Sequence, residues 1–205
     1  MRNSIKIFIY ICVIGLLSAC SLKQETYDTN TYAIDFKATQ SFKNSVKTIY
    51  VETPNVNKSF NSNSIFYTTK AYSFEEYALN RWIDKPSSML HNNIAQALET
   101  SNIFKNVLKE KSEIKFDYML KTNVVSLYNS IERNNSFAVL SIKFDLVSNG
   151  EVLKTFTYNK KVLSQGNKPY DFVVAVNKAF EEVANDLNLQ IYNLIKQILF
   201  FIMNC

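Results

Sequence analysis

The chain has 205 residues, 47% of them hydrophobic, and a formal charge of +5. That is enough apolar material for a core in one domain of moderate size, and too mild a charge to point to nucleic acid. Arg2 and Lys6 supply two of the positive charges, so the chain from residue 20 onward carries +3.

Arg2 and Lys6 precede an apolar run from Ile7 to Leu17, which ends in Leu17-Ser18-Ala19-Cys20. This is the n-region, h-region and lipobox pattern of a bacterial lipoprotein signal. The run is too short to span a bilayer, which takes about 20 residues. Residues 1–19 are expected to leave as a signal peptide, with Cys20 lipidated as the first mature residue. Its acyl chains, at about 0.8 kcal/mol per buried CH₂, would anchor the protein to a membrane. An ordinary secretory signal with a chance Cys is the competing reading, and residue types, spacing and position all oppose it. Cys12 leaves with the signal and Cys20 is taken by lipid, so only Cys205 remains and no internal disulfide can form.

Residues 20–31 are polar and read as a flexible tether. A single periplasmic domain is expected over 32–205. Tyr32 to Phe36 reads as a short first strand, and Val46 to Val51 as a second, stopped by Pro54. Asn55 to Ser64 is a polar loop, and Ile65 to Thr69 is the next strand. Ala71 to Ala78 carries three aromatics and two Glu and fits no element by pattern. Asp84-Lys85-Pro86 opens a helix over 86–101, with Leu90, Ile94, Ala97 and Leu98 on one face. Phe104 to Leu108 reads as a strand returning to the sheet.

The clearest alternation follows: Ile114, Phe116, Tyr118, Leu120 and Val124 are set against Lys115, Asp117, Lys121 and Asn123. Val125 and Leu127 break the phase, the mark of a bulge or strand end. Ala138, Leu140, Ile142, Phe144 and Leu146 alternate in the same way. Asn149-Gly150 has the composition of a type I′ hairpin turn, with Val152 to Val162 as the return strand. After Gly166 and Pro169 a long helix is expected, with Phe172, Val176, Phe180, Val183, Leu187, Ile191 and Ile195 in its apolar stripe. The order predicts an α+β two-layer sandwich: a mainly antiparallel sheet with two helices on one face.

Chemistry-bearing patterns are scarce. His91 is the single histidine and is expected on a helix surface; no cofactor, metal site or catalytic residue is expected. Three stretches invite a functional reading. Tyr72, Arg81 and Trp82 form a candidate partner-binding group, since Trp, Tyr and Arg are enriched at binding hot spots. The same residues would also serve to anchor the first helix on the sheet. The wet sheet face, with Lys115, Asp117, Ser141, Lys143 and Asp145, is either solvated or a mixed-charge interface. The tail from Ile198 to Met203 is apolar on all sides and reads as buried or in contact with a partner or membrane.

Several pieces, in order, resemble the ABC-type transport auxiliary lipoproteins, the PqiC-like group that serves MCE-type intermembrane lipid transport. They are Tyr32-Ala33-Ile34, Val46 to Val51 followed by Pro54, Ile65-Phe66-Tyr67, Arg81-Trp82 before Pro86, Phe116 to Leu120, and Ala175 to Leu187. The resemblance implies a domain like the N-terminal domain of TolB. It also implies a non-enzymatic role beside an ABC permease, an ATPase and an MCE-domain protein. Ser21 stands where an Asp would favour inner-membrane retention, so the expected anchor is the periplasmic face of the outer membrane. Partners are thus the membrane and the transporter; a homo-oligomer stays open. The alternatives are a lipoprotein that assists another envelope machine, such as lipopolysaccharide export or secretion, and a carrier holding a small ligand between helices and sheet.

Overall fold

The computed structural model describes residues 28–43, 47–111 and 113–203; Cys20 with its lipobox, Val46 and Cys205 lie outside them. Strands β1 (Asn30–Tyr32), β2 (Thr48–Val51), β3 (Asn55–Val56), β4 (Ser64–Lys70) and β5 (Ser73–Trp82) precede helix α1 (Pro86–Ser101). Then come β6 (Asn106–Leu108), β7 (Tyr118–Glu132), β8 (Asn135–Ser148), β9 (Glu151–Leu163) and helix α2 (Pro169–Met203). The described strands join in one mixed sheet, and α1 and α2 share a single core against one of its faces, an α+β fold as expected.

β7 is the spine. It pairs antiparallel with β8 from Met119–Val147 to Glu132–Asn135, with a register shift between Val124 and Ser126 where the sequence alternation breaks. β9 continues the antiparallel ladder beyond β8. The other edge of β7 takes β2, β3 and β4 one after another, all parallel. Pro54 and the loop from Asn57 to Asn63 cut this part of the chain into pieces too short to fill the edge alone. Ala71 and Tyr72 turn β4 into β5, which resolves the stretch that fitted no element. At the β8–β9 turn, Asn149 and Gly150 have φ of 52° and 83°, the positive pair that a type I′ turn demands.

Pro86 occupies the first turn of α1, and Asn102, left-handed at φ 60°, closes it. Leu90, Ile94, Ala97 and Leu98 are buried as the stripe predicted. α2 lays Phe172, Val176, Phe180, Val183, Leu187, Ile191 and Ile195 on the sheet. A Cβ at Gly166 would come within 2.6 Å of the Asp171 carboxylate, so a side chain there would push that carboxylate off the Lys168 N–H, which it accepts at 3.0 Å.

The expected first strand ends early. β1 stops at Tyr32, and residues 33–42 run extended between the two helices, away from the sheet. Ile34, Phe36 and Ala38 are buried, so the alternation reports one-sided burial in a segment that has no strand partner. Helix side chains replace the missing ladder. Phe36 N–H donates to Asn93 Oδ1 at 3.3 Å, and Asn93 Nδ2 donates to Ile34 O at 2.9 Å. Asp35 N–H donates to Asn177 Oδ1 at 2.8 Å, and Asn177 Nδ2 donates to Ala33 O at 3.1 Å. Thr39 N–H donates to Asn185 Oδ1 at 2.9 Å. Phe36 stacks on Phe180 and Phe42 on Tyr192, with centroids 5.4 and 4.7 Å apart.

Two further expectations change. Ile114 and Phe116 precede β7 and are exposed, although they are in phase with Tyr118 and Leu120. His91 is half-buried, with Nε2 3.0 Å from the Val51 carbonyl, and so joins α1 to β2 instead of facing solvent. At the start of β7, Asp117 holds β2 in register. Its carboxylate accepts the Thr48 N–H at 2.8 Å and the Lys47 ammonium at 2.9 Å. Partial burial pushes the Asp117 carboxyl up, but those two hydrogen bonds and the Lys47 charge outweigh it and hold the group below the usual carboxylate range.

Two predictions follow from these bonds. Asn93→Ala strands two buried backbone groups and should cost about 1–3 kcal/mol in urea unfolding, while Asn185→Ala, in a more exposed contact, should cost less. A carboxyl lowered in the folded state contributes stability above its unfolded value of about 4 and loses it as pH falls through the lower folded value. Asp117→Asn should therefore flatten the acid limb of the stability–pH curve, measured by denaturation between neutral and acid pH.

Candidate functional site

Tyr72, Arg81 and Trp82 do not form one surface. They sit on the same hairpin, but Tyr72 lies at its turn and Trp82 at the far end of β5, about 33 Å away at ~3.3 Å per residue. Trp82 is 2% exposed and packs on Phe172, with centroids 6.1 Å apart. It is the anchor between β5 and α2. Arg81 is exposed and pairs in the sheet with Thr31 of β1 and Ser64 of β4. Tyr72 is fully exposed and left-handed, with φ 66°.

What gathers around Tyr72 is aromatic. Phe74 and Tyr128 meet edge to face on the open side of the sheet at 5.0 Å. Phe60 backs both, at 5.7 Å from Phe74 and 5.8 Å from Tyr128. Phe60 is buried and Phe74 half-exposed, so the patch is a rigid aromatic floor and not a set of loose side chains. A shallow groove of about 300 Å³ runs beside it, lined by Thr68 to Tyr72, Phe74, Tyr128 and Ser130 to Glu132. Rigid aromatic area with a polar rim is what a protein docking surface uses. Tyr128 went unnoticed in the sequence because the bulge at Val125 shifts its phase; counting from Leu127 would have put it on the outer face.

The helix-facing side of the same hairpin is pinned by polar contacts. Tyr67 OH donates to Glu75 Oε2 at 2.8 Å, which keeps the phenol protonated and raises its pKa. Asn129 Nδ2 donates to the Tyr77 hydroxyl at 2.8 Å, and Ser136 Oγ donates to Asn129 Oδ1 at 2.8 Å. Burial pushes the Tyr77 phenol up. On the wet face, Lys143 and Asp145 pair at 3.1 Å, and Ser141 Oγ donates to Asn159 at 2.6 Å. Lys115 is exposed, and Asp117 is committed to Lys47 and Thr48.

No group of three metal-binding side chains occurs among the described residues. The seam between helices and sheet, lined by Phe36, Leu98, Phe144 and Phe180 among others, has a volume of about 10 Å³. That is room for a single water. This part of the seam is therefore closed to a ligand in the packed state.

A family model described as ABC-type transport auxiliary lipoprotein component matches residues 32–188. No curated protein matches the sequence. A crystal structure of a Xanthomonas campestris protein superposes with a TM-score of 0.73 at 17% identity, over 82% of this chain and 98% of that one. A second crystal structure, of an uncharacterized protein, gives 0.67 at 13% identity, over 80% and 99%. At these identities the likeness is one of fold.

The placement separates core from surface by measurement. Trp82→Ala should cost about 3–5 kcal/mol in chemical denaturation, as a large aromatic removed from a core does. Tyr72→Ala should stay within about 0.5 kcal/mol, as substitutions on open surface do.

Proposed function

Since the chain belongs to the family of ABC-type transport auxiliary lipoprotein components, we propose that it is a lipid-anchored, non-catalytic docking subunit of an MCE-type intermembrane lipid transporter. The observation that carries the reading is the pairing of a family match over 32–188 with a lipobox ending at Cys20. Acyl chains on Cys20 hold the domain at the periplasmic face of the outer membrane, where Ser21 gives no retention signal for the inner one. The polar stretch from Cys20 up to β1 tethers it, and the aromatic floor of Tyr72, Phe74 and Tyr128 meets the MCE-domain protein. Energy comes from the ATPase elsewhere in the complex. A tethered domain needs only a weak docking surface, because confinement raises its effective concentration. The same anchor and surface would also suit a lipoprotein that assists another envelope machine.

One experiment tests both parts. The wild-type chain should take up labelled palmitate and pellet with membranes, and Cys20→Ala should do neither. Cross-linking in native membranes that express the whole transporter should capture the MCE-domain protein. Tyr72→Ala with Phe74→Ala should reduce that capture about tenfold or more, with folding retained. Recovery of an assembly made of other envelope proteins, with no MCE-domain protein, would favour the second reading.

A further inference from the structure

α2 runs on to the end of the sheet, past the reach of the family match. The family match stops at residue 188, Ile195 is the last buried side chain of α2 among those described, and the helix continues to Met203. Phe200 and Phe201 are 67% and 69% exposed. α2 descends antiparallel to β9: Lys160 Nζ donates to Glu182 at 3.0 Å, Tyr158 OH to Asp186 at 2.9 Å, and Gln190 Nε2 to Tyr158 OH at 3.4 Å. Continued at ~1.5 Å per helical and ~3.3 Å per strand residue, this register brings Phe200 and Phe201 level with the start of β9. There Val152 and Leu153 are exposed. Ile114 and Phe116 reach the same end of the sheet, since Ser148 Oγ donates to Asp117 O at 2.9 Å and Met119 pairs with Val147. Six exposed apolar side chains from three parts of the chain thus share one end of the molecule. Exposed Lys115, Lys154 and Lys196 flank these side chains along the chain, beside the exposed acids Glu113 and Glu151.

We propose that this end is a second membrane contact: the last turns of α2 insert into the same bilayer that holds the acyl chains of Cys20, with the lysine rim on anionic headgroups. This rests on the lipoprotein reading above. From Ile198 to Met203 the helix sequence is apolar on every side. Leu199 packs on the core while Phe200 and Phe201 open outward, so the tip can enter a bilayer from its outer side while its inner side stays on the domain. Six residues at ~1.5 Å rise make about 9 Å of helix, enough when tilted to reach the ~5–10 Å depth of the headgroup and acyl boundary. No described helix is long and apolar enough to cross a membrane. Lysines beside the apolar tip match an anionic headgroup layer.

The tether sets the geometry. Ten links from Cys20 to Asn30 reach at most about 35 Å. Asn30 lies at the other end of the molecule, where Tyr32 packs 6.2 Å from Tyr170. Tyr170 to Phe200 spans about 45 Å of helix. With both ends on one bilayer, α2 therefore lies at least about 40° from the bilayer normal. The anchor confines the tip near the surface, so shallow insertion suffices to hold it there.

The test uses the acylated full-length mature protein on vesicles of phosphatidylethanolamine and phosphatidylglycerol. A nitroxide is placed at position 201 by Phe201→Cys in a Cys205→Ser background, and a second preparation carries it on the open sheet face by Asn159→Cys. The expected result is loss of nickel-chelate accessibility and gain of oxygen accessibility at 201, with 159 remaining in water. Phe200→Asp should return the 201 label to water while the protein still pellets with vesicles. An acylated, vesicle-bound protein whose 201 label is as nickel-accessible as 159 overturns this proposal alone. So does a label shielded from both reagents, which means that protein covers the tip, or clustering of vesicles, which places the tip on a second bilayer. A mature chain with no acyl mass on Cys20 overturns the anchor reading, and the proposal with it.

Discussion

Everything in this fold waits on where residues 33–42 put their backbone hydrogen bonds. The segment enters the interior with Ile34, Phe36 and Ala38 buried, and it has no neighbouring strand. Buried peptide groups without partners are costly, so something else must bond them. Asn93 on α1 and Asn177 and Asn185 on α2 do so, each amide offering a donor and an acceptor where a sheet would offer a ladder. The consequence is mutual dependence. The strap is held only if both helices are in place, and the helices meet across Phe36 instead of directly along their full length. Because the strap runs beside α2 from Asn177 to Tyr192, its entry point at Tyr32 is fixed at the N-terminal end of that helix.

The spine strand imposes the second constraint. β7 is long enough to take one continuous antiparallel partner on one edge and three short parallel ones on the other. Its helix-facing side is close-packed, with Thr122 and Asn129 buried among apolar side chains, and its outer side is left to solvent. At the hairpin end that outer side is not polar. Phe60 closes beneath Phe74 and Tyr128 and makes an aromatic floor of fixed shape. A surface ordered before a partner arrives loses little entropy on binding, which is why a small patch there can matter more than its area suggests.

Much of this was legible in the sequence, for identifiable reasons. Pro86 and the stripe from Leu90 to Leu98 marked α1, Asn149-Gly150 marked the hairpin, and the phase break at Val125 marked the bulge. Each of these is a local rule that tertiary packing did not have to overrule. The misses share another cause. Period-2 alternation reports an extended chain with one buried side; it says nothing of the hydrogen-bond partner. The strap at 33–42 therefore looked like a strand, and Ile114 and Phe116 looked like core. The parallel pairings of β2, β3 and β4 were invisible because strands of two to seven residues carry no signal of direction. Arg81-Trp82 had two readings, and contact with Phe172 decides Trp82 for the core while leaving Tyr72 on the surface.

The packed interior also limits how such a subunit can work. The gap of about 10 Å³ between helices and sheet beside Phe36 and Phe180 is too small for an acyl chain, so a ligand of that size would enter there only if the layers part. Parting them would break the asparagine contacts of the strap and expose Phe36, Phe144 and Phe180 together, a change close to unfolding. The protein is better suited to act as a rigid piece whose surfaces are placed by its two ends. The sheet's first strand ends near Tyr170, and the apolar end of α2 lies some thirty helical residues away, about 45 Å along the helix. The aromatic floor opens on the other side of the sheet, so membrane contacts at the ends would leave it free to meet a partner.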